Sequence, residues 1–250
     1  MKQLIFLLSL LFTLHAEKLT IGLGLYMQTQ PYKSIDPIIV PSPVIFFDNG
    51  LFYVRWTRAG IYFLGNKGKD FSWAFSLTAQ PRPFGYETKG VTDYVGLDSR
   101  EATIEGGLAF SALYHDTYLE VMLLTDLLAR HDSWLAKAEF GDEFHFGNFS
   151  LYPSVIVSYQ SDAFVNYYYG VTQEEADRSR NDPISFHFFK PKGGFQVGAQ
   201  SYLKYPLTKN FSTLLNARID SIPASAHASP LLKETLIYSG LLSLIYTFEY

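Results

Sequence analysis

Apolar and polar residues alternate with a period of two along most of the chain after residue 17. In residues 71–81, large apolar side chains occupy most of one set of alternate positions, and small or polar side chains occupy the other. Successive side chains of a β-strand point to opposite faces, so this pattern predicts a strand with one apolar face. The same alternation recurs in six further segments, at residues 101–114, 134–140, 149–159, 195–205, 211–219 and 238–250.

Two all-β architectures produce this alternation. A soluble sandwich hides the apolar face, whereas a transmembrane barrel turns that face toward lipid. The strands reach about ten residues, which is the length that a tilted membrane strand needs. Aromatic residues crowd the strand ends, as they do at the two membrane interfaces. Short turns also alternate with long loops at 82–100, 161–193 and 221–234, as in outer-membrane barrels with long extracellular loops.

An antiparallel transmembrane β-barrel must close, because open sheet edges are not tolerated in lipid. The pattern predicts twelve strands, at residues 19–28, 42–47, 51–56, 60–65, 71–80, 102–114, 117–127, 133–141, 148–159, 194–205, 210–220 and 238–250. The hairpin signal Asp48-Asn49-Gly50 separates two short segments in this set. If those short segments form one bent element or are partly extracellular, the barrel has ten strands instead.

The N-terminal residues 1–16 are predicted to be a signal peptide, which leaves residues 17–250 as one barrel domain. Lys2 precedes a nearly continuous apolar run at residues 4–14. This run is too short to span a bilayer as a helix but suits a secretory signal. We place the cleavage after Ala16 and expect export to the outer membrane of a Gram-negative cell.

The final segment ends on an aromatic residue. Tyr246, Phe248 and Tyr250 occupy alternate positions on its apolar face. A last strand that ends in this way resembles the assembly signal of bacterial outer-membrane barrels. The resemblance implies the barrel assembly machinery as a partner and outer-membrane lipid as the surroundings.

Composition narrows the function classes further. The net charge is −4 and no strongly basic block occurs, which argues against a nucleic-acid partner. The absence of cysteine excludes disulfides and cysteine-based zinc or redox sites. No two histidines fall at a metal-ligand spacing, and no Gly-x-Ser-x-Gly elbow occurs. We therefore expect no cofactor, no metal, no catalytic residues and no enzymatic activity.

The longest predicted loop, at residues 161–193, carries the most distinctive segment of the chain. Its candidate site residues are Tyr168, Tyr169, Gly170, Val171, Glu174 and Glu175. Thr172 and Glu175 have the spacing of a capping box, which predicts the start of a short helix. Gly170 is expected to permit a tight turn. The loop is interpreted as a structural lid or plug over the barrel mouth, or alternatively as a ligand or partner site.

Four segments of the chain together resemble the MipA/OmpV family of outer-membrane proteins, over essentially the whole mature chain. They are Pro41-Ser42-Pro43 leading into Phe46–Leu51, Tyr168-Tyr169-Gly170-Val171, Pro191-Lys192-Gly193-Gly194 and Ser229-Pro230-Leu231-Leu232. The resemblance implies a β-barrel. It also implies a scaffold that joins a murein-cleaving lytic transglycosylase to a murein synthase, whereas other members are osmotically regulated proteins or adhesins.

The predicted lumen carries charges of both signs. Its inward positions include Glu101, Glu105, Glu120, Asp126, Lys137, Glu139, Lys204, Asn216, Arg218 and Asp220. These residues fit either a salt-bridged, plugged interior or a narrow pore, since a barrel of this size holds only a small water path. The preferred function is therefore a scaffold at the cell envelope, and the alternatives are a small-solute pore and an adhesin.

Overall fold

An antiparallel sheet that closes on itself forms the framework of the protein. The computed structural model describes residues 18–249 except Phe84 and Gly90, so the predicted signal peptide and Tyr250 lie outside the described residues. Strand β1 pairs with β13, and β10 pairs with both β8 and β11, which completes the closure. No helix in the described ranges is long and apolar enough to cross a membrane.

Thirteen strands and two short α-helices make up the described part of the chain. The strands are β1 (Lys18–Gln28), β2 (Ile38–Asp48), β3 (Phe52–Arg55), β4 (Arg58–Lys67), β5 (Phe71–Arg82), β6 (Thr103–Tyr114), β7 (Thr117–Asp126), β8 (Trp134–Asp142), β9 (Phe144–Phe146), β10 (Phe149–Gln160), β11 (Gly194–Pro206), β12 (Phe211–Ser221) and β13 (Leu236–Glu249). The α-helices are α1 (Asp162–Tyr169) and α2 (Gln173–Ser179), and 3₁₀ turns occur at Thr92–Tyr94 and Ala224–Ala226.

The prediction of a twelve-strand barrel is confirmed, and the ten-strand alternative is wrong. The Asp48-Asn49-Gly50 signal forms a turn between β2 and β3, in which Asn49 Oδ1 accepts hydrogen bonds from the backbone N–H groups of Leu51 and Phe52. The additional strand is β9, which pairs with β10 where the sequence predicted only a short turn. Strand β2 begins at Ile38, four residues earlier than predicted.

The connections between strands differ at the two ends of the barrel. Short connections at residues 49–51, 68–70, 115–116 and 207–210 lie at the end that also holds Lys18 and Glu249, called here the turn end. The opposite end, called the loop end, carries residues 29–37, 83–102, 127–133, 161–193 and 222–235. This asymmetry matches the prediction of short turns on one side and long loops on the other.

The outer surface of the barrel is apolar. Leu23, Leu77, Leu123 and Leu242 lie on strands spread around the sheet and are between 53% and 64% exposed. A water-soluble domain would bury such side chains, whereas lipid covers them in a membrane barrel. The predicted orientation of the apolar face is therefore confirmed.

The last strand carries an aromatic cluster at the turn end. The ring centroid of Tyr246 lies 4.6 Å from that of Phe248 and 4.9 Å from that of Phe211 on β12. These rings sit where an interface girdle is expected. The role of Tyr246, Phe248 and Tyr250 in assembly stays a prediction.

Candidate functional site

A cluster of buried aromatic side chains covers the loop end of the barrel. It is called here the loop-end cluster and contains Tyr32, Tyr86, Tyr94, Phe164, Tyr168, Tyr169, Val171, Phe186 and Leu231, all at most 8% exposed. Its centre is α1, whose N-terminus is capped by Ser161, because the Ser161 hydroxyl accepts a hydrogen bond from the Phe164 N–H. The cluster therefore joins residues from four different loops.

Hydrogen bonds to the end of α1 connect these loops. The Tyr32 hydroxyl donates to the Tyr168 carbonyl at 3.2 Å, and the Ser229 hydroxyl donates to the Tyr169 carbonyl at 2.6 Å. The carbonyl groups at a helix C-terminus have no partner within the helix. Two neighbouring loops satisfy them here, so that α1 is held from both sides.

Glu175 on α2 is the polar centre of the same region. Its carboxylate is fully buried and accepts hydrogen bonds from Arg100 Nη2 at 2.9 Å and 3.1 Å. It also accepts the backbone N–H groups of Asp98 at 3.0 Å and Thr172 at 2.8 Å. The Thr172 hydroxyl accepts the Glu175 N–H in return, which confirms the predicted capping box. One carboxylate thus connects α2 to the 83–102 loop.

The remaining candidate residues take different positions. Val171 and Phe189 exchange two backbone hydrogen bonds of 2.8 Å and 3.0 Å. Glu174 is exposed and pairs with Arg178 at 2.9 Å. Gly170 has a φ of −85°, so the left-handed conformation that favours glycine is not needed there. A Cβ at this position would lie 2.4 Å from the carbonyl oxygen of Asn166, so close backbone packing explains the glycine.

Next to α1, His131 lies close to a serine and an aspartate. Its Nδ1 atom is 2.5 Å from Ser133 Oγ and 3.7 Å from Asp126 Oδ2, whereas the buried Nε2 atom has no hydrogen-bond partner. In a catalytic triad the serine and the carboxylate contact opposite ring nitrogens. Here both contacts are to the same nitrogen, so the arrangement does not form a proton relay.

The His131 ring instead packs against α1. Its centroid lies 5.3 Å from that of Phe164 and 5.6 Å from that of Tyr168. Burial lowers the pKa of His131 below its usual value, and nearby Asp126 opposes that shift only in part. The neutral imidazole is therefore the form that fits the loop-end cluster.

Below the cluster, the barrel encloses a cavity of about 2120 Å³. Phe164, Tyr168 and Tyr169 line the cavity at the loop end, and Lys18 and Lys204 line it near the turn end. Of the predicted lumen residues, the structure places eight on the cavity wall: Glu105, Glu120, Lys137, Glu139, Lys204, Asn216, Arg218 and Asp220.

Ion pairs line the inner surface of the cavity wall. Lys137 contacts Glu139 at 3.2 Å, Arg218 contacts Asp220 at 2.6 Å, and further pairs join Arg55 and Arg58 to Glu120 and Arg82 to Glu105. The prediction for Glu101 is wrong. Strand β6 begins two residues after Glu101. The exposed Glu101 carboxylate pairs with Arg130 at the loop end and does not face the lumen.

Some functional-site residues were missed by sequence reasoning. Arg100 and Tyr32 were not among the candidates, and Ser229 was named only within a segment that carries the family resemblance. The three residues lie in separate loops, and no spacing pattern relates them to Glu175 or α1. Among the described residues, no group of histidine, aspartate or glutamate side chains could hold a metal ion.

The closed sheet, the apolar outer band and the charged cavity define a transmembrane β-barrel of the outer-membrane class. The profile of the family described as "MltA-interacting protein MipA" matches residues 21–248, so the chain belongs to this family. The resemblance found in the sequence is therefore confirmed.

Named relatives agree with this assignment. The chain is 25% identical over 232 residues to "Putative outer membrane protein YiaT" of Escherichia coli K12, covering 91% of this chain and 90% of the relative. It is 26% identical over 239 residues to "MltA-interacting protein" of the same organism, covering 94% and 92%. These relationships place the protein in the outer membrane.

Among solved structures, one outer membrane protein gives a low-scoring match over most of the chain. OmpT, an outer membrane protein of Vibrio cholerae, superposes with a TM-score of 0.41 at 6% identity. The match covers 94% of this chain and 99% of that structure.

Proposed function

We propose that this barrel is a structural and interaction protein that joins murein-processing enzymes at the periplasmic face of the outer membrane. The observation that carries the proposal is the loop-end cluster. The buried Arg100–Glu175 pair ties α2 to a neighbouring loop, and α1 lies over the upper end of the cavity. Such packing favours a covered barrel over an open solute path.

In this proposal the 161–193 loop acts as a structural lid. Its residues Tyr168, Tyr169, Gly170, Val171 and Glu175 stabilise the covered state through packing and through the Glu175 hydrogen bonds, whereas Glu174 contributes only an exposed pair with Arg178. Loops at the ends of barrels otherwise lose their order easily, because few buried contacts hold them. The turn end is then the face left for partners.

The proposed partners are a murein-cleaving lytic transglycosylase and a murein synthase. The relative named "MltA-interacting protein" supports a murein enzyme as partner. The β9–β10 hairpin gives the turn end an aromatic surface, since Phe144 and Phe146 are 44% and 61% exposed with stacked rings. Exposed aromatic residues are frequent anchors in protein interfaces.

A reconstitution experiment tests this assignment. The purified barrel in mild detergent is mixed with each enzyme and with both, and complexes are measured by pull-down and size-exclusion chromatography. We expect retention of the transglycosylase, and weaker retention with Phe146→Ser. The matched control is Phe188→Ser, because Phe188 is 50% exposed but lies in the 161–193 loop. Repeated failure of the folded barrel to retain either enzyme contradicts the proposal.

A small-solute pore is the second candidate, and the charged cavity of about 2120 Å³ favours it. Planar-bilayer recordings separate the two functions. Electrical silence supports the scaffold, whereas discrete conductance steps that scale with salt concentration support the pore. An adhesin would bind through residues 161–193, so binding that survives deletion of this loop would exclude that role.

A further inference from the structure

The β3–β4 hairpin stops partway up the barrel wall. Strand β3 has four residues, and it pairs with β2 only at Phe46, Phe47 and Asp48. The hairpin turn at Trp56 and Thr57 therefore lies in the middle of the sheet. Within the described strands, residues 38–44 of β2 and residues 80–82 of β5 have no strand partner on this side. No described strand lies between β2 and β5 at this level, and this stretch of the wall is called the side gap.

The side gap lies at the level of the lipid-facing band. Pro41 and Pro43 pair with Leu25 and Leu23 of β1, which are 47% and 64% exposed on the outer surface. The unpaired edge of β2 between residues 39 and 45 is about 20 Å long at the usual rise of a strand. Since the two strands of the hairpin separate β2 from β5, the gap is about 14 Å wide between strand axes at the hairpin tip.

Prolines remove the backbone donors that would face the gap. Trp56 N–H donates to the Ile45 carbonyl at 2.8 Å, so residue 45 and the alternate positions 43 and 41 point toward the gap. Two of these positions are Pro41 and Pro43, which have no N–H group.

The opposite edge repeats this feature. The Ile104 carbonyl accepts from Leu127, so Ile104 faces away from β5, and its partner Pro81 faces the gap. Ile39 on the same edge of β2 keeps its N–H group, so the prolines reduce the number of donors along the gap and make the addition of a further strand less favourable. The apolar rim of the side gap suits a chain molecule that needs no hydrogen bonds.

Behind the gap, the inner surface of the barrel carries an apolar patch and charged groups, called here the apolar wall and the charged wall. Val44, Leu214, Leu241 and Ile245 are at most 5% exposed on the inner side, with Tyr26, Phe46, Trp56 and Tyr202 packed against them. A barrel interior is usually polar, so an apolar inner wall needs an explanation. Ion pairs lie beside this apolar wall, since Arg218 and Asp220 are on the same strand as Leu214 and Arg55 is the cross-strand neighbour of Phe46, and the cavity is therefore amphipathic.

Guanidinium groups form the accessible part of the charged wall near the gap. The side chains of Arg82 and Arg55 are 26% and 37% exposed, whereas their partners Glu105 and Glu120 are 1% and 7% exposed. All four residues line the cavity. Arg55 also contacts the more exposed carboxylate of Asp48 at 3.5 Å, so the position that favours an anionic group is Arg82, whose partner Glu105 is buried.

Trp56 stands between the gap and the lumen. Its φ of 57° places the backbone in the left-handed region, which is rarely adopted by residues other than glycine. The indole Nε1–H donates to Ser42 Oγ at 3.0 Å, and the ring contacts Tyr26 with a centroid distance of 5.6 Å. Strained backbone of this kind concentrates at functional sites. Irregular backbone at membrane depth is also tolerated mainly where it lines a cavity.

We propose that the side gap between β2 and β5 is a lateral portal that admits a single-chain anionic amphiphile from the membrane into the lumen. The alkyl chain lies against Tyr26, Phe46, Trp56 and Tyr202, and the anionic head group faces Arg82. This inference goes beyond the scaffold function and does not depend on it.

Tryptophan quenching tests the portal directly. The chain has three tryptophans, and the double variant W73F/W134F leaves Trp56 as the only tryptophan, which is excited at a wavelength that tyrosine does not absorb. The protein is placed in phosphatidylcholine nanodiscs and titrated with 9,10-dibromostearate, whose bromine atoms quench indole on contact. We expect saturable quenching with one site per barrel. The uncharged methyl ester should bind about tenfold more weakly, because it loses a charge-assisted hydrogen bond.

Two controls isolate the route. In the W56F/W134F variant, the remaining Trp73 lies on the outward-facing side of β5, and its quenching should rise without saturation. A bulky maleimide adduct on a Thr57→Cys variant, at the exposed hairpin tip, should slow quenching of Trp56 at least tenfold. The same adduct on Thr208→Cys, in an exposed turn at the other end, should leave it unchanged.

Several outcomes would overturn the proposal. Quenching of Trp56 that is absent, or that rises without saturation as for Trp73, excludes a defined site. Equal quenching by dibromo-phosphatidylcholine at the same bromine content means that bulk lipid fills the gap. If the adduct at position 57 does not slow the quenching of Trp56, the quencher reaches the lumen by a path other than the side gap. If the methyl ester binds as tightly as the acid, the site does not select an anionic head group.

Discussion

Replacing Glu175 by glutamine is expected to loosen the loop-end cluster while the barrel stays closed. The substitution removes the charge, but glutamine can still form the capping box with Thr172. In this variant the Arg100 side chain, which is only 7% exposed, has lost the Glu175 carboxylate that neutralises it. Removing one partner of a buried ion pair typically costs about 3–5 kcal/mol. Arg100 keeps its bonds to the carbonyls of Asp98 and Gly170, so a cost near the lower limit is expected.

Hydrogen exchange measures this effect where it occurs. A cost of about 3 kcal/mol raises the population of the opened cluster on the order of 100-fold. Exchange of amides in α2, such as that of Ala176, which donates to the Thr172 carbonyl, should accelerate by that factor. Amides in the β11–β12 pairing should exchange at the original rate, because the barrel wall is not altered.

The neighbouring glutamate provides a matched control. Glu174 lies on the same helix and pairs with Arg178, but its side chain is 80% exposed. Glu174→Gln should change exchange by about twofold, since exposed helical pairs contribute only about 0.3–0.5 kcal/mol. Adding Arg100→Met to Glu175→Gln should restore part of the protection by removing the unpaired charge. If Glu175→Gln behaves like Glu174→Gln, the buried pair does not hold the cluster.

Three further predictions address other parts of the molecule. Because burial lowers the pKa of His131, the loop-end cluster should lose stability as the pH falls below about 6.5; hydrogen exchange corrected for intrinsic rates checks this, and His131→Asn should abolish the dependence. Glu139→Gln removes the carboxylate that neutralises Lys137, whose side chain is only 15% exposed. The free energy of unfolding should therefore fall by about 3 kcal/mol, which thermal unfolding followed on heat-shift gels checks. Phe248→Ala should lower the yield of assembled barrel in membranes, whereas an equal yield would remove Phe248 from the assembly signal.

Most of the fold could be predicted because strands in a membrane barrel obey local rules. Alternation assigns each residue to the lipid or the lumen, and closure fixes an even number of membrane strands. The prediction failed at residues 38–41 because Pro41 and Pro43 make β2 a poor strand by propensity. It also missed β9, a three-residue strand whose pairing depends on its position beside β10.

The candidate site was predictable only where its geometry is local. The capping box of Thr172 and Glu175 spans one helical turn, so the sequence contains it completely. The partner of Glu175 is 75 residues away along the chain, and only closure of the barrel brings Arg100 beside it. Similarly, the position of Trp56 beside the side gap depends on the point at which β3 ends, and the pairing of the whole sheet determines that point.

Arg82 connects the covered loop end to the opening in the wall. It belongs to the unpaired edge of β5, and its carboxylate partner Glu105 is buried beneath it. Its guanidinium carbon also lies 4.6 Å from the Phe164 ring centroid and 5.8 Å from that of Tyr168, both on α1. An anion that draws Arg82 toward the lumen must weaken these cation–π contacts, because one planar group cannot face both directions. Occupancy of the side gap and packing of α1 are therefore linked through a single side chain, and by thermodynamic reciprocity each must alter the other.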